Sequence, residues 1–347
     1  MSRVLVTGGA GFIGRHVVDA LRADGDDVAV LDSLRPDVHV SAPAELPEHL
    51  ADVRDLAAVA AAIHCADVVV HLAAKVGLGV RLDDIDDYVS SNDLGTAVLL
   101  RAAAVAGVPH VVMASSMVVY GDGAYRCPEH GPVPVPPRRA EDLERGRFEP
   151  RCVRCGSQLL AEPVDEAAPF DPRNAYAASK VQTELLSRVW ARETGGSVTA
   201  LRFHNVYGPG MPRHTPYAGV ASLFHAAAER GEAPRVFEDG GQRRDFVHAR
   251  DVAGAVAAAV RRPGPAGEVT AYNVGSGRVT TVGQLAAAIA DRLGAPAPVT
   301  TGEYRLGDVR HITASSERIA AGLGWRAVVP LETGLAELGE PAGVAQV

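Results

Sequence analysis

"VLVTGGAGFIG" spans Val4–Gly14 and governs how the rest of the chain is read. It opens on a short aliphatic and β-branched run, the pattern of a buried strand. Gly8, Gly11 and Gly14 follow at GxxGxxG spacing, and Phe12 and Ile13 begin a helical pattern over 12–23. Such a turn has a steric reading, because only glycine fits where a strand folds tightly onto its helix. It also has a chemical one. The same glycines let the backbone approach a pyrophosphate, and the helix N-terminus offers free N–H groups to its charge. The context of first strand, turn, helix and second strand favours dinucleotide binding.

Working outward, apolar runs recur at "DVAVLD" (27–32), "DVVVHLA" (67–73) and "HVVMASS" (110–116), and later at "VTALRFH" (198–204). Helical patterns near 12–23, 54–63, 88–106 and 174–194 alternate with them. Strands alternating with helices predict a Rossmann-type, doubly wound α/β fold around a parallel sheet. Asp32 ends the second run, 18 residues after Gly14. A carboxylate there accepts hydrogen bonds from an adenosine ribose and repels a 2′-phosphate, which favours NAD over NADP. A solvated strand-end acid is the plainer alternative. Asp52, Leu72, Ala73 and Ala74 end the next runs, where strand C-termini line such a crevice.

Beyond residue 204 the rhythm loosens, with helical patterns near 217–230, 249–261, 280–292 and 315–321 between Gly/Pro loops. This predicts a dinucleotide domain over 1–204 and a smaller substrate lobe over 205–347, interleaved with the last sheet strands. Residues 121–170 form an insertion whose proline-rich "HGPVPVPPRR" fits neither a helix interior nor a central strand.

The 347 residues suffice for such an arrangement. A net charge of -8 argues against nucleic acid as the main partner. No apolar run approaches the roughly 18 residues of a membrane span. The N-terminus has no leader pattern, so the cytoplasm is the expected location.

The chain has 32 arginines but only two lysines, Lys75 and Lys180. Lys180 lies four residues after Tyr176 in "YAASK", so the two share a helix face. An ammonium and an oxidised nicotinamide beside a phenol would lower its pKa and make it a general base. Taken alone, the spacing is better explained by an amphipathic helix with a surface lysine and an interfacial tyrosine. Ser116, at the end of the 110–116 strand, adds a hydroxyl facing the same crevice. The three together fit hydride transfer at a carbinol.

At this point the motifs "TGGAGFIG", "HLAAKVG", "NDLGTAVLL", "SSMVVYG", "YAASK", "RFHNVYGPG", "RRDFVHARDVA", "YNVGSG" and "YRLGDVRH" resemble the extended short-chain dehydrogenases/reductases of the NAD-dependent epimerase/dehydratase group. Members act on nucleotide-diphosphate sugars. The resemblance implies Ser116, Tyr176 and Lys180 as catalytic residues, and Val53 and Asn92 beside the cofactor. It implies substrate contacts at Lys75, Ser116 and Asn205, at Val236 and Phe237 beside the base, and at Arg244 and Arg310 on the diphosphate. Dehydratases of the family carry an Asp-Glu pair just after the hydroxyl residue, and decarboxylases a glutamate two before the next tyrosine. Here Met117 and Val118 stand there, which implies redox-neutral epimerisation at carbon 4. "GLGV", "YVSSNDLGTAVLL" and "SSMVVYGDGAYR" most resemble the branch acting on dTDP-6-deoxyhexoses such as dTDP-L-rhamnose, with UDP-sugar 4-epimerases next. The family pairs the helices near 88–106 and 174–194 in a homodimer. His204 departs from the apolar or aromatic residue usual before the asparagine, and the resemblance gives it no role.

The insertion holds "RCPEHG" and "RCVRCG". Cys127/His130 and Cys152/Cys155 are two x2-spaced pairs, each followed by glycine, and resemble a zinc ribbon over 125–157. So short a segment buries little core, and a structural zinc would staple it. Chance placement and, in an oxidising compartment, a disulfide are the alternatives.

Overall fold

The computed structural model describes residues 1–36, 46–77, 82–212 and 219–340. The chain runs β1 (Arg3–Thr7), α1 (Phe12–Ala23), β2 (Asp27–Asp32), β3 (His49–Leu50), α2 (Leu56–Ala62), β4 (Val68–His71), α3 (Ile85–Tyr88), α4 (Gly95–Ala106) and β5 (His110–Ser116). The insertion contributes β6 (Ala124–Cys127), β7 (Gly131–Pro132), α5 (Ala140–Glu144) and β8 (Leu160–Glu162). Then come α6 (Ala175–Thr194), β9 (Ser197–Phe203), β10 (Asn205–Tyr207), α7 (Val220–Glu229), β11 (Arg235–Val236), β12 (Arg243–His248), α8 (Ala249–Arg261) and β13 (Val269–Val274). The C-terminal part adds β14 (Val279–Thr281), α9 (Val282–Leu293), β15 (Val299–Thr300), α10 (Glu317–Leu323) and α11 (Leu331–Ala336).

Seven strands form one parallel sheet in the order β13-β9-β5-β4-β1-β2-β3. The order reverses between β1 and β4, which opens a crevice at their carboxyl ends. The strands read as unbroken apolar runs because both faces are covered. Val4, Val6, Val68 and Val70 pack into one core with α1, α8 and α10. Leu5, Val69 and Val111 point the other way, into a core with α2, α4 and α6.

The expected helix over 88–106 is interrupted. Residues Val89–Leu94 form a π turn between α3 and α4. Asn92 lies in it, fully engaged: its amide accepts from Lys75 N (2.7 Å) and donates to Lys75 O (3.0 Å) and Ser179 Oγ (2.9 Å). The start of the expected 217–230 helix lies outside the described residues, and α7 begins at Val220. The second lobe builds on β10-β12-β14 and β11-β15, with its own core around Phe224, Val236, Phe246 and Leu285. β9 ends at Phe203 and the chain crosses to that lobe at β10, while α8 and β13 return to the large sheet. The insertion forms a β7-β6-β8 sheet over a miniature core of Tyr125, Cys127, Cys152 and Leu159. Among the described residues no helix is long and apolar enough to cross a membrane.

Candidate active site

A cavity of about 460 Å³ opens at the sheet's switch point. The turn residues Gly8, Gly11, Phe12, Ile13 and Gly14 line it, with Asp32, Asp52 and Val53 after the next strands and Leu72–Ala74 after β4. Gly8 has φ 72°, and a Cβ on Gly14 would meet Gly8 O at 2.1 Å, so side chains are excluded from both positions. Gly11 caps α1 without any side-chain bond, leaving first-turn N–H groups for an anion. The buried Asp32 carboxylate is aimed by Ala10 N–H (3.0 Å) and Leu34 N–H (2.9 Å). The Asp52 carboxylate is engaged by Arg54 at 2.7 and 2.8 Å, which holds its pKa low. These features fit a dinucleotide: a cradle without side chains for the pyrophosphate and a fixed acceptor for a ribose.

The same cavity reaches Ser116, Tyr176 and Lys180. Ser116 ends β5 and caps the short turn Met117–Tyr120. Tyr176 and Lys180 enter on the first turns of α6, whose N-cap Asn174 accepts from Ala177 N–H (2.8 Å). The Ser116 hydroxyl lies beside the phenol and favours its ionised form. Lys180 Nζ donates to Ala114 O (2.9 Å) and lies 5.9 Å from the centre of the Tyr176 ring. Here the electrostatics differ from the sequence expectation. Burial pushes the phenol up to about 12, outweighing the opposing effect of the Ser116 hydroxyl, and pushes the Lys180 ammonium down to about 8. The ligand-free site therefore holds the phenol neutral while Lys180 keeps its charge below about pH 8, and a positive nicotinamide ring is the further charge that would draw the phenol toward phenolate.

Lys75 and Asn205 also line the cavity. Lys75 Nζ is held by Asp87 at 2.7 Å and lies 4.6 Å from the centre of the Tyr88 ring. Other expected residues are not brought there. Asn92 is consumed in bolting the Lys75 segment to α6. Val236 is buried in the second-lobe core, and Phe237 carries the Arg305 guanidinium 5.1 Å from its ring centre. Arg310 is buried, and its five N–H groups are all taken by Glu149, Glu238 and Asp239 at 2.6–3.0 Å. It has no donor left for a diphosphate. Arg244, on β12 two residues before the cavity-lining Phe246, does not itself line the cavity; its guanidinium is held by the carbonyls of Arg243, Val309 and Arg310.

The four metal candidates converge. Cys127 Sγ is 3.4 Å from His130 Nδ1 and 3.5 Å from Cys155 Sγ, and Cys152 Sγ is 3.6 Å from His130 Nδ1. All four ligand atoms lie within 4.8 Å of one another. A tetrahedral site with bonds of about 2.0–2.3 Å separates its ligands by about 3.3–3.8 Å. The backbone N–H groups of Glu129 and His130 favour the thiolate of Cys127, and those of Arg154 and Cys155 the thiolate of Cys152. Gly131 (φ 69°) and Gly156 (φ 74°) make these turns.

Two further features bear on the site: His204, which the sequence left without a role, and Glu184, which it did not single out. His204 lines the cavity, one residue beyond Phe203, the cross-strand partner of Ser116. Neither ring nitrogen has a protein partner, and burial lowers its pKa to about 3, so the ring is neutral. Replacing His204 with Phe is expected to raise stability by about 1 kcal/mol, because it removes an unpaired buried polar group. A lower melting temperature for the variant would contradict that. The second feature is Glu184, one turn after Lys180 and fully buried. It pairs with Arg202 at 2.8 and 2.9 Å and accepts from Ser115 Oγ at 2.5 Å, which locks α6 to β5 and β9. Glu184→Ala strands a buried guanidinium and should cost about 3–5 kcal/mol in urea unfolding. An unchanged midpoint would show that the pair contributes nothing.

The fold and this site define an NAD-dependent enzyme built on a doubly wound sheet. The family model "NAD dependent epimerase/dehydratase family" matches residues 4–142 and 143–275. The chain belongs to the NAD-dependent epimerase/dehydratase family. It is 35% identical to a dTDP-L-rhamnose 4-epimerase of Burkholderia thailandensis, over 97% of this chain and 93% of that one. It is 33% identical to a UDP-glucose 4-epimerase of Mycolicibacterium smegmatis, over 96% of each chain. The Thermus thermophilus UDP-glucose 4-epimerase, solved in complex with NAD, superposes with a TM-score of 0.77 at 31% identity, covering 97% of each chain.

Proposed function

We propose that the enzyme is a nucleotide-diphosphate-sugar 4-epimerase acting through a transient 4-keto sugar, with a dTDP-6-deoxyhexose such as dTDP-L-rhamnose as substrate. One observation carries the reading. Ser116, Tyr176 and Lys180 meet in the cavity, and the residues lining it directly after Ser116 are Met117 and Val118. Neither can deliver the extra acid and base that elimination of water requires.

When bound, NAD supplies the hydride acceptor and, once reduced, the hydride donor. Tyr176 Oη takes the proton of the C4 hydroxyl as the C4 hydride leaves. Ser116 hydrogen-bonds the reacting oxygen. Lys180 adds positive charge beside the phenol and is placed to bind the nicotinamide ribose. Tyr176 then returns its proton to the oxygen after the keto sugar has presented its other face. Asn205 and Arg244 are assigned to the sugar and its diphosphate. The test is a panel of dTDP- and UDP-sugars followed by NMR for inversion at carbon 4. Inversion of a dTDP-6-deoxyhexose in preference to UDP-glucose supports the reading. Preference for UDP-sugars would move the enzyme to the branch favoured by its resemblance to UDP-glucose 4-epimerases. Stoichiometric NADH would make it a dehydrogenase.

The reading includes a structural zinc on Cys127, His130, Cys152 and Cys155, since four protein ligands leave no open position. None of the four cysteines is in a disulfide, so the three in the cluster are available as thiolate ligands. It also includes a homodimer. The packed helices α4 and α6, with the π turn before α4, leave Val89, Leu94, Leu185 and Val189 exposed.

A further inference from the structure

We propose that the zinc-stapled insertion is a working part of the substrate site, positioning Arg244 for the diphosphate of the sugar nucleotide. This rests on the zinc and nucleotide-sugar readings above.

Arg244 makes all its hydrogen bonds to carbonyls. Nη1 donates to Arg243 O (2.9 Å) and Arg310 O (3.0 Å), and Nη2 to Val309 O (2.6 Å). Three of five N–H groups are thereby used. Nε–H and the second Nη2–H remain. Both are charge-assisted donors of the kind that hold phosphate oxygens. Arg244 forms no direct ion pair among the described residues, although the Asp308 and Glu238 carboxylates lie near enough to act on its charge.

Two of those carbonyls belong to the segment 308–311, and the insertion holds that segment in place. Arg138 donates to Asp308 O at 2.5 Å and pairs with buried Glu238 at 2.5 Å. Glu149 accepts from Arg310 Nη2 (2.6 Å) and Nε (3.0 Å), and lies 2.9 Å from His311 Nε2. The Tyr125 hydroxyl accepts from His311 N–H (3.2 Å). Tyr125 stands two residues before Cys127, and Glu149 three before Cys152. The metal ligands therefore join the two arms that grip 308–311. Arg310 is the node of this strut, which explains why its own donors are unavailable.

Loss of the metal or of Glu149 frees the carbonyls that orient Arg244. The catalytic trio lies on β5 and α6, outside the strut. The consequence is a weaker diphosphate contact with unchanged chemistry.

The experiment is a double-mutant cycle on the NAD-loaded protein, read by calorimetric titration with dTDP and with UDP, the tighter serving as reporter. Glu149→Gln should keep zinc and NAD at wild-type content. It should weaken the nucleoside diphosphate about tenfold, the size of one charge-assisted hydrogen bond, and raise KM at constant kcat. Tyr125→Phe, a milder change, should act in the same direction. Chelation of the zinc with NAD retained should do so too. In an Arg244→Ala background Glu149→Gln should add nothing. The proposal is overturned if Glu149→Gln stays within twofold of wild type, or if its loss adds in full to that of Arg244→Ala. It is equally overturned if neither dTDP nor UDP binds the wild type. Purified protein lacking zinc removes the metal from the account, and the same cycle then decides the strut alone. Absence of sugar turnover would count against the epimerase reading instead, because binding is read directly.

Discussion

Replacing Tyr176 with phenylalanine should lower kcat by about 10²–10⁴-fold while NAD stays bound at wild-type stoichiometry. The phenol is the group in the cavity placed to take a carbinol proton, beside the Ser116 hydroxyl and one helical turn from Lys180. Phenylalanine keeps the ring that packs 6.0 Å from Tyr88, so the fold has no reason to change. The wild-type pH profile carries the same signature. Burial holds the phenol near 12 in the ligand-free chain, and the base form is the phenolate. Proton abstraction should therefore fall as pH is lowered, with an apparent pKa below 12 in the NAD-loaded enzyme, where a positive ring offsets the burial. That acid limb should vanish from the residual activity of Tyr176→Phe. Turnover near the wild-type level in the variant would remove Tyr176 from the mechanism.

The second large effect belongs to the insertion. Structural zinc contributes roughly 10–16 kcal/mol of apparent binding energy in small metal-stapled folds. The miniature core here holds only four buried residues, two of them the ligands Cys127 and Cys152. Without metal that core cannot order the segment. Purified protein should carry about one equivalent of zinc. Cys152→Ser should reduce this below half and open the 121–170 segment to proteolysis, while the large sheet stays folded and NAD-bound. A zinc-free preparation with a protease-resistant insertion would show that the cysteines and His130 are held together by packing alone.

How much of this was legible in the sequence follows from the range of the interactions. The sheet was readable because strands buried on both faces are apolar throughout, and Val4–Val6 and Val68–Val70 show that doubly buried pattern. The turn at Gly8–Gly14 was readable because close backbone approach leaves no choice of residue. The convergence of Cys127, His130, Cys152 and Cys155 was readable because two x2-spaced pairs each turn their side chains toward one point. The rest depends on partners far apart in the chain. Nothing local marks Arg310 as the meeting point of Glu149, Glu238 and Asp239 rather than a diphosphate ligand. The π turn at Val89–Leu94 leaves the apolar pattern of a helix intact, and so hides why Asn92 faces Lys75 and Ser179. The upward displacement of the Tyr176 phenol reflects burial, which the YxxxK spacing does not encode.

The central claim is a hydride removed from carbon 4 and returned to the same carbon. Substrate deuterated at C4 tests it most directly, with NMR following the label in the presence of catalytic NAD. The account predicts product inverted at C4 that keeps its deuterium there, with no NADH accumulating. Deuterium lost to solvent, or carried off on stoichiometric reduced cofactor, would contradict it.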